Sequence, residues 1–477
     1  MNLRKSPSVL KTIFISIFLA SIILLAFTVI RSGYFFEFDI DELYHANSVY
    51  LLSSGYKPFT DFFLPYSPLF YSFLSPLFHA SGFTLDTIQA ARVVMIILFV
   101  LRIVGASLLI RMLFGKLAAL LFLPLFLLDP FTAYVSMQIR PDNFLMTIYV
   151  IGLVALTHGL IAQKKYTILL AGIVLGISLI ASIKIIPSLG ALFLVLFFYR
   201  LRYKFIGLFE LCIGVGLPII LFSLYYLFNG AFMPMITNLI FDARAINESL
   251  KYPVPMGNFY WPSPSTIFGL SFKPILFQYI WALPLLAFAG AYNTLIASDF
   301  TSHTLSRKNM FSNVLTVSLG VQWISLFFIR SVFIQYYIPL TWLFALFGAV
   351  ALATFLHKVK SYKALYIGTL LLFSGMYCIY LVSSIQANFE RAKVTGKETK
   401  ESIRSTWKYI PENQSVYPGV LFRPLAYPIP YGFTFYDLPS DLITRYGPIQ
   451  NYLEKERVPY LNIDGKPWAQ PNDEVKQ

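Results

Sequence analysis

From about residue 10 to about residue 386 the chain is a succession of apolar runs. Each run approaches the roughly 20 residues that a helix needs to cross the hydrocarbon core of a bilayer. That recurrence constrains the fold more than any other feature of the sequence. A transmembrane β-barrel would show segments of about 10 residues with alternating hydrophobicity, not unbroken apolar stretches. With 57% hydrophobic and 13% charged residues in 477, the chain has too little charge to cover the surface of a soluble protein of this length. The expected fold is an all-α polytopic bundle.

About eleven spans are expected, at residues 10–30, 86–111, 116–136, 142–162, 166–183, 185–200, 204–229, 274–297, 310–329, 333–356 and 363–386. The first apolar run, Thr12 to Ile30, follows Arg4, Lys5 and Lys11 and has no small-x-small cleavage site, so it reads as a retained span. The connections alternate in character. Arg111 to Lys116, Lys164-Lys165, Arg200 to Lys204, Arg307-Lys308 and Lys358 to Lys363 are basic and fall on one side, which the positive-inside rule makes cytoplasmic together with the N-terminus. An odd number of spans then puts the C-terminus outside, in the plasma (inner) membrane of a cell. The formal charge of +14 fits this bias and anionic lipid surfaces; no nucleic-acid partner is expected. Cys212 and Cys378 both lie in apolar runs and suggest neither a metal site nor a disulfide framework.

Three outer segments are too long to be turns: residues 31–85, residues 230–273, rich in proline and aromatics, and the tail 387–477. The expected organisation is a membrane module over 1–386 and an extracytoplasmic C-terminal domain over 387–477. In the tail, residues 387–409 read as a basic helix near the membrane surface, 447–457 as a short helix and 458–462 as a strand, which together make a small α/β appendage.

The first outer segment carries the chemistry. Asp39, Asp41 and Glu42 lie directly beyond the first span, and carboxylates beside a bilayer carry a cost that calls for a reason. Asp39 is placed to cap a helix starting at Ile40, with Glu42 completing a capping box. That reading leaves Asp41 unexplained. His45 lies one turn further along the same face and is placed to hold or tune Asp41, or to serve as a polar interfacial residue. Gly55 ends the helix. Residues 67–81, interrupted by Pro76, read as a helix lying along the interface. Asp61 follows in the same segment.

Cations collect on the same side: Arg140 in the Gln138-Ile-Arg-Pro-Asp142 loop, Lys184 between two apolar runs, Arg244, and Arg330 near Tyr336 and Tyr337. Guanidinium forks and ammonium groups suit a phosphate, although any one of them alone fits a snorkelling anchor.

These residues resemble a known family. Asp41-Glu42, Gly55, the stretch from Tyr56 to Asp61, the stretch from Pro65 to Tyr71, and Arg140-Pro141-Asp142 are similar to motifs of the GT-C glycosyltransferases. Within these the similarity is greatest to the protein O-mannosyltransferase and aminoarabinose-transferase type (family 39-like). The resemblance implies inverting transfer of a sugar from a polyprenyl-phosphate donor to a lipid, glycan or protein acceptor, outside the cytoplasm. It makes Asp41 the general base, in the acidic group Asp41, Glu42 and Asp61. Arg140, Lys184 and Arg330 become ligands of the donor phosphate, with His45, Asp142, Tyr336 and Tyr337 as weaker substrate contacts. One departure concerns Asp61, which is followed by Phe62-Phe63-Leu64-Pro65 where some members carry a Glu-Lys-Pro segment. No metal is expected to be required, although a divalent cation could bind Asp39-x-Asp41 through oxygens. The main alternative is a transporter or flippase of lipid-linked saccharides. That alternative calls for charges deep in several spans, and Arg102, Asp129 and Glu210 are the notable ones.

Overall fold

The structure, a computed structural model, describes residues 9–129, 135–203, 207–244, 274–297, 307–328, 334–398, 400, 401, 403, 404, 416–417 and 460–461. Among these, eleven long or apolar helices follow the expected order: α1 (Val9–Phe35), α4 (Leu85–Phe114), α5 (Lys116–Leu127), α6 (Pro141–Ala162), α7 (Lys165–Ala181), α8 (Ile186–Tyr203), α9 (Leu208–Phe228), α11 (Pro274–Ala297), α12 (Arg307–Ser325), α13 (Ile338–Val359) and α14 (Lys363–Arg391). Eight apolar helical stretches are long enough to cross a membrane, and shorter apolar ones lie at Lys116–Leu127, Lys165–Ala181 and Ala282–Ile296. The chain is an integral, multi-pass α-helical protein. Three smaller helices lie between them: α2 (Ile40–Ser53), α3 (Leu69–Ser81) and α10 (Phe232–Ile236), the last continuing as a π-wound turn over Thr237–Asp242.

With no water to drive them together in lipid, helices associate through close packing of small residues. α7 and α9 show this. A Cβ added at Gly172 would lie 2.8 Å from Leu211 O and 2.9 Å from Gly214 Cα, so only glycine permits the approach. Elsewhere the bundle packs large apolar side chains, with Trp342, Phe122 and Phe99 fully buried.

α1 and α14 run parallel. The Ser21 and Tyr377 hydroxyls lie 2.8 Å apart, and further along the Arg31 guanidinium sits 5.1 Å from the Phe389 ring centroid. Both helices therefore end on the same side as the acidic segment. The basic turns between α4 and α5, α6 and α7, and α13 and α14 lie at the opposite end of the bundle. α14 runs to Arg391, more than a turn beyond the point where the composition changes, because Asn388 and Arg391 remain buried against the bundle.

Of the expected tail, residues 397–404 are helical where described, and Val416–Tyr417 pairs in parallel with Tyr460–Leu461. The helix expected at 447–457 lies outside the described residues, as do the aromatic stretch 245–273 and Arg330.

Candidate active site

The site is assembled at the N-termini of α2 and α6. Asp39 adopts an extended conformation, and its Oδ1 accepts from the Asp41 amide at 3.1 Å; Glu42 Oε2 accepts from the Asp39 amide at 3.1 Å. This is the capping box read from the sequence, and such a cap contributes about 1 kcal/mol.

Glu42 does far more than cap. It is fully buried and takes the Arg92 side chain on both oxygens, through Nε at 3.0 Å to Oε1 and through Nη2 to Oε2. The Ile139 amide donates to Oε1 at 3.0 Å. Arg92 also donates to Phe36 O and, at 3.0 Å, to Glu37 O. Both Glu42 oxygens are thus engaged in joining α2, α4, the chain leaving α1 and the loop before α6. Sequence reasoning passes over Arg92. A single arginine near the start of a long apolar run reads as an anchor, and only the charge inside a span could have flagged it.

Arg140 precedes Pro141, the first residue of α6. A residue before proline is pushed towards extended backbone, and Arg140 has φ −142° and ψ 141°. Its Nη1 donates to Asp41 Oδ2 at 2.7 Å, Nη2 to Asp39 Oδ2 at 3.0 Å, and Nε to Gln138 Oε1 at 2.6 Å. Asn143 Nδ2 fastens the loop behind it through Val135 O and Gln138 O. Burial opposes the charge on Arg140, but Asp41, Asp39 and Asp142 outweigh it and push its pKa above the ordinary arginine value. The side chains of Arg140 and Asp39 are 4% and 14% exposed, whereas Asp41 is 44% exposed. Asp41 is therefore the carboxylate of this group that faces outwards.

Lys184 lies on a short 3-10 turn, Ile183–Ile185, between α7 and α8. Its Nζ lies 2.8 Å from Asp142 Oδ1 and 4.4 Å from the centroid of the Tyr336 ring. Tyr336 and Tyr337 stand on the 3-10 turn that leads into α13. Lys184, Asp142 and Tyr336, far apart in sequence, are thus brought together.

His45 does not hold Asp41, which the Arg140 guanidinium holds instead. The imidazole is buried, with Nδ1 2.9 Å from the Tyr71 hydroxyl and the rings of Tyr44, Tyr66 and Phe70 around it. Burial, then Arg140 and Lys184, hold its pKa well below the usual histidine value. Burial and nearby acidic groups push the Tyr66 and Tyr71 phenols well above theirs.

Asp61 stands apart from this cluster. Its carboxylate accepts from the Lys57 amide at 2.8 Å and from the Thr60 hydroxyl at 3.1 Å, closing an exposed turn in which Phe59 has φ +72°. Arg102 is buried against Phe99 and Phe126, and Glu210 pairs with Lys165 at the opposite end of the bundle. Among the described residues no three His, Cys, Asp or Glu side chains form a metal-ligand group.

The fold of the bundle is similar to that of solved GT-C glycosyltransferases. Two similar solved structures are of ArnT, an aminoarabinose transferase from Cupriavidus metallidurans. The form bound to undecaprenyl phosphate has a TM-score of 0.58 and 13% identity, covering 87% of this chain and 85% of that one; the apo form has a TM-score of 0.50 with the same identity and coverage. The apo oligosaccharyltransferase of Archaeoglobus fulgidus is similar at TM-score 0.50 and 14% identity, over 83% of this chain and 58% of its own longer one. No family model matches the chain, and no curated protein matches it by sequence.

Proposed function

We propose that this protein is an inverting glycosyltransferase that moves a sugar from a polyprenyl-phosphate donor to an acceptor hydroxyl on the extracytoplasmic side of the membrane. The observation that carries the reading is the placement of Asp41, an outward-facing carboxylate held at 2.7 Å by a buried guanidinium, on a GT-C fold. The ArnT structure bound to undecaprenyl phosphate makes a lipid phosphate the natural donor headgroup.

In the proposed step Asp41 takes the proton of the acceptor hydroxyl as its oxygen attacks the anomeric carbon. The bond from that carbon to the phosphate oxygen breaks, the electron pair leaves with the polyprenyl phosphate, and the configuration inverts. A phosphate leaving group needs cations more than it needs an acid, and Arg140 and Lys184 supply them. Each is paired with carboxylates here, so an arriving phosphate exchanges for a carboxylate as partner. When it draws Arg140, it frees Asp41 Oδ2 for the acceptor. Glu42 serves as a positioning group through Arg92 and Ile139. The aromatic side chains of Tyr66 and Tyr336, near Asp41 and Lys184, suit the faces of a sugar ring. The Arg330 assignment rests on the family resemblance alone. The basic turns at the far end of the bundle support a cytoplasmic placement of that end.

The test is transfer from a panel of polyprenyl-phosphate sugars by purified protein in lipid, wild type beside Asp41→Asn. Transfer that falls by about 10²- to 10⁴-fold in the variant, with donor binding retained, supports the base. Equal transfer by both removes Asp41 from that role. Movement of lipid-linked saccharide across vesicles without transfer favours a transporter.

A further inference from the structure

Phe38 immediately precedes the cap of α2, and two cations approach its ring. The Arg92 guanidinium carbon lies 4.7 Å from the ring centroid, and the Lys400 ammonium lies 4.8 Å from it. Lys400 belongs to the segment that follows α14, in the part of the chain that composition assigns to the tail. Its arrival is fixed by backbone. The Glu37 amide donates to Val394 O at 2.9 Å. Gly396 has φ +56°, and a Cβ there would lie 2.6 Å from Glu37 Cβ, so the close crossing requires glycine. The crossing stands where α1 and α14 end side by side, with Arg31 against Phe389. Ala392 and Ile403, on either side of it, are both buried.

A continuous line of contacts therefore runs from the tail to the site. Lys400 and Arg92 share the Phe38 ring. Arg92 grips Phe36 O, Glu37 O and both oxygens of Glu42, and Glu42 and Asp39 cap the helix that presents Asp41. Burial, then the like charges of Arg92 and Arg404, oppose the charge on Lys400 and lower its pKa, and the carboxylates of Glu42 and Glu37 offset that only in part. A cation held at such a cost, with no hydrogen-bonded acceptor among the described residues, is best accounted for by what it does to Phe38.

We propose that the segment 392–404 is part of the active-site framework, with Lys400 a positioning residue that seats Phe38 and so fixes the Asp39–Glu42 cap from which Asp41 projects. The kinetic half of this inference rests on the glycosyltransferase reading; the structural half does not. A cation–aromatic contact of this kind shifts a local opening equilibrium by roughly 3- to 10-fold.

The test uses full-length protein in lipid with two readouts: amide hydrogen exchange over residues 36–42, and kcat and KM for the polyprenyl-phosphate sugar that the wild type uses. Lys400→Met keeps the apolar stem and removes the charge. It should speed exchange in that window by roughly 3- to 10-fold and lower kcat with donor KM unchanged. Lys400→Arg should restore both. Gly396→Ala, which forces the segment off Glu37, should reproduce the Met variant without touching the charge. Wild-type exchange over 36–42 in both Lys400→Met and Gly396→Ala overturns the inference, as does a fall in kcat with that exchange unaltered. If the wild type transfers no sugar at all, the glycosyltransferase reading fails, and the exchange measurement still decides whether the tail holds the cap.

Discussion

Arg140 and Asp41 meet at 2.7 Å although 99 residues separate them in the chain. The two residues to which sequence assigned separate duties, one for the phosphate and one for the acceptor proton, satisfy each other in the resting protein. On the proposed reading, a donor phosphate that draws Arg140 also releases the carboxylate, so that binding of donor and readiness of the base would be one event.

The geometry of the Arg140 fork should matter beyond its charge. Its three nitrogens reach Asp41, Asp39 and Gln138 separately, which a lysine cannot do. Arg140→Lys should lose on the order of 10²-fold in kcat/KM for transfer. Steady-state kinetics check it; a variant within threefold of wild type would reduce Arg140 to a point charge.

Glu42 and Asp41 should separate cleanly. Glu42→Gln breaks a buried pair with Arg92 and should cost roughly 3–5 kcal/mol of stability, seen as a lower thermal midpoint in detergent. Asp41→Asn, which leaves Arg140 paired with Asp39, should lower that midpoint by less. Abolished transfer in Glu42→Gln at an unchanged midpoint would move the base from Asp41 to Glu42.

Lys184 and Asp142 form a buried pair, with side chains 15% and 3% exposed. Lys184→Met and Asp142→Asn should each destabilise. The double variant should destabilise by less than the two added together, with a coupling of roughly 0.5–3 kcal/mol. Additive shifts of the unfolding midpoint would show that the pair contributes nothing as a pair.

His45 gives the protein an acid limit. Burial, Arg140 and Lys184 hold the folded imidazole neutral, whereas the unfolded one takes a proton near its ordinary value of 6.5. The unfolded state therefore binds more protons as pH falls below that value, and the stability present above it is progressively lost. Between about pH 7.5 and 5.5 the wild-type melting midpoint should drop more than that of His45→Gln. Parallel curves would mean that His45 titrates alike in both states.

Transfer should persist after chelation of divalent cations. Asp39 and Asp41, the pair that could hold such an ion, both direct Oδ2 at Arg140, which already supplies positive charge at that place. Activity lost to chelator and restored by magnesium or manganese would show that an ion displaces the guanidinium.

Much of this was legible along the chain, because bilayer spanning imposes a period that sequence cannot hide. The helices of the bundle and the Asp39–Glu42 cap follow from local patterns of burial and hydrogen bonding. What spacing cannot carry is partnership. Nothing near Arg92 announces Glu42, and nothing near Lys184 announces Asp142, because those pairs exist only once the helices pack. The turn closed by Asp61 through Thr60 and Lys57 is local and could have been read; the attraction of a nearby acidic motif obscured it. His45 shares a helical face with Asp41, but face-sharing sets only a direction, and Tyr71 on α3 lay closer.

The continuation of α14 to Arg391, and the crossing at Gly396 beyond it, bear on how such chains can be recombined. The obvious seam at residue 386, where apolar sequence gives way to polar, runs through a helix and leaves Val394, Gly396 and Lys400 on the wrong side of the cut. A tail exchanged between relatives at that seam would bring a foreign strap to the acidic loop. Grafts joined after residue 404 would keep the native one, since α14 itself continues about one and a half helical turns beyond the change in hydropathy.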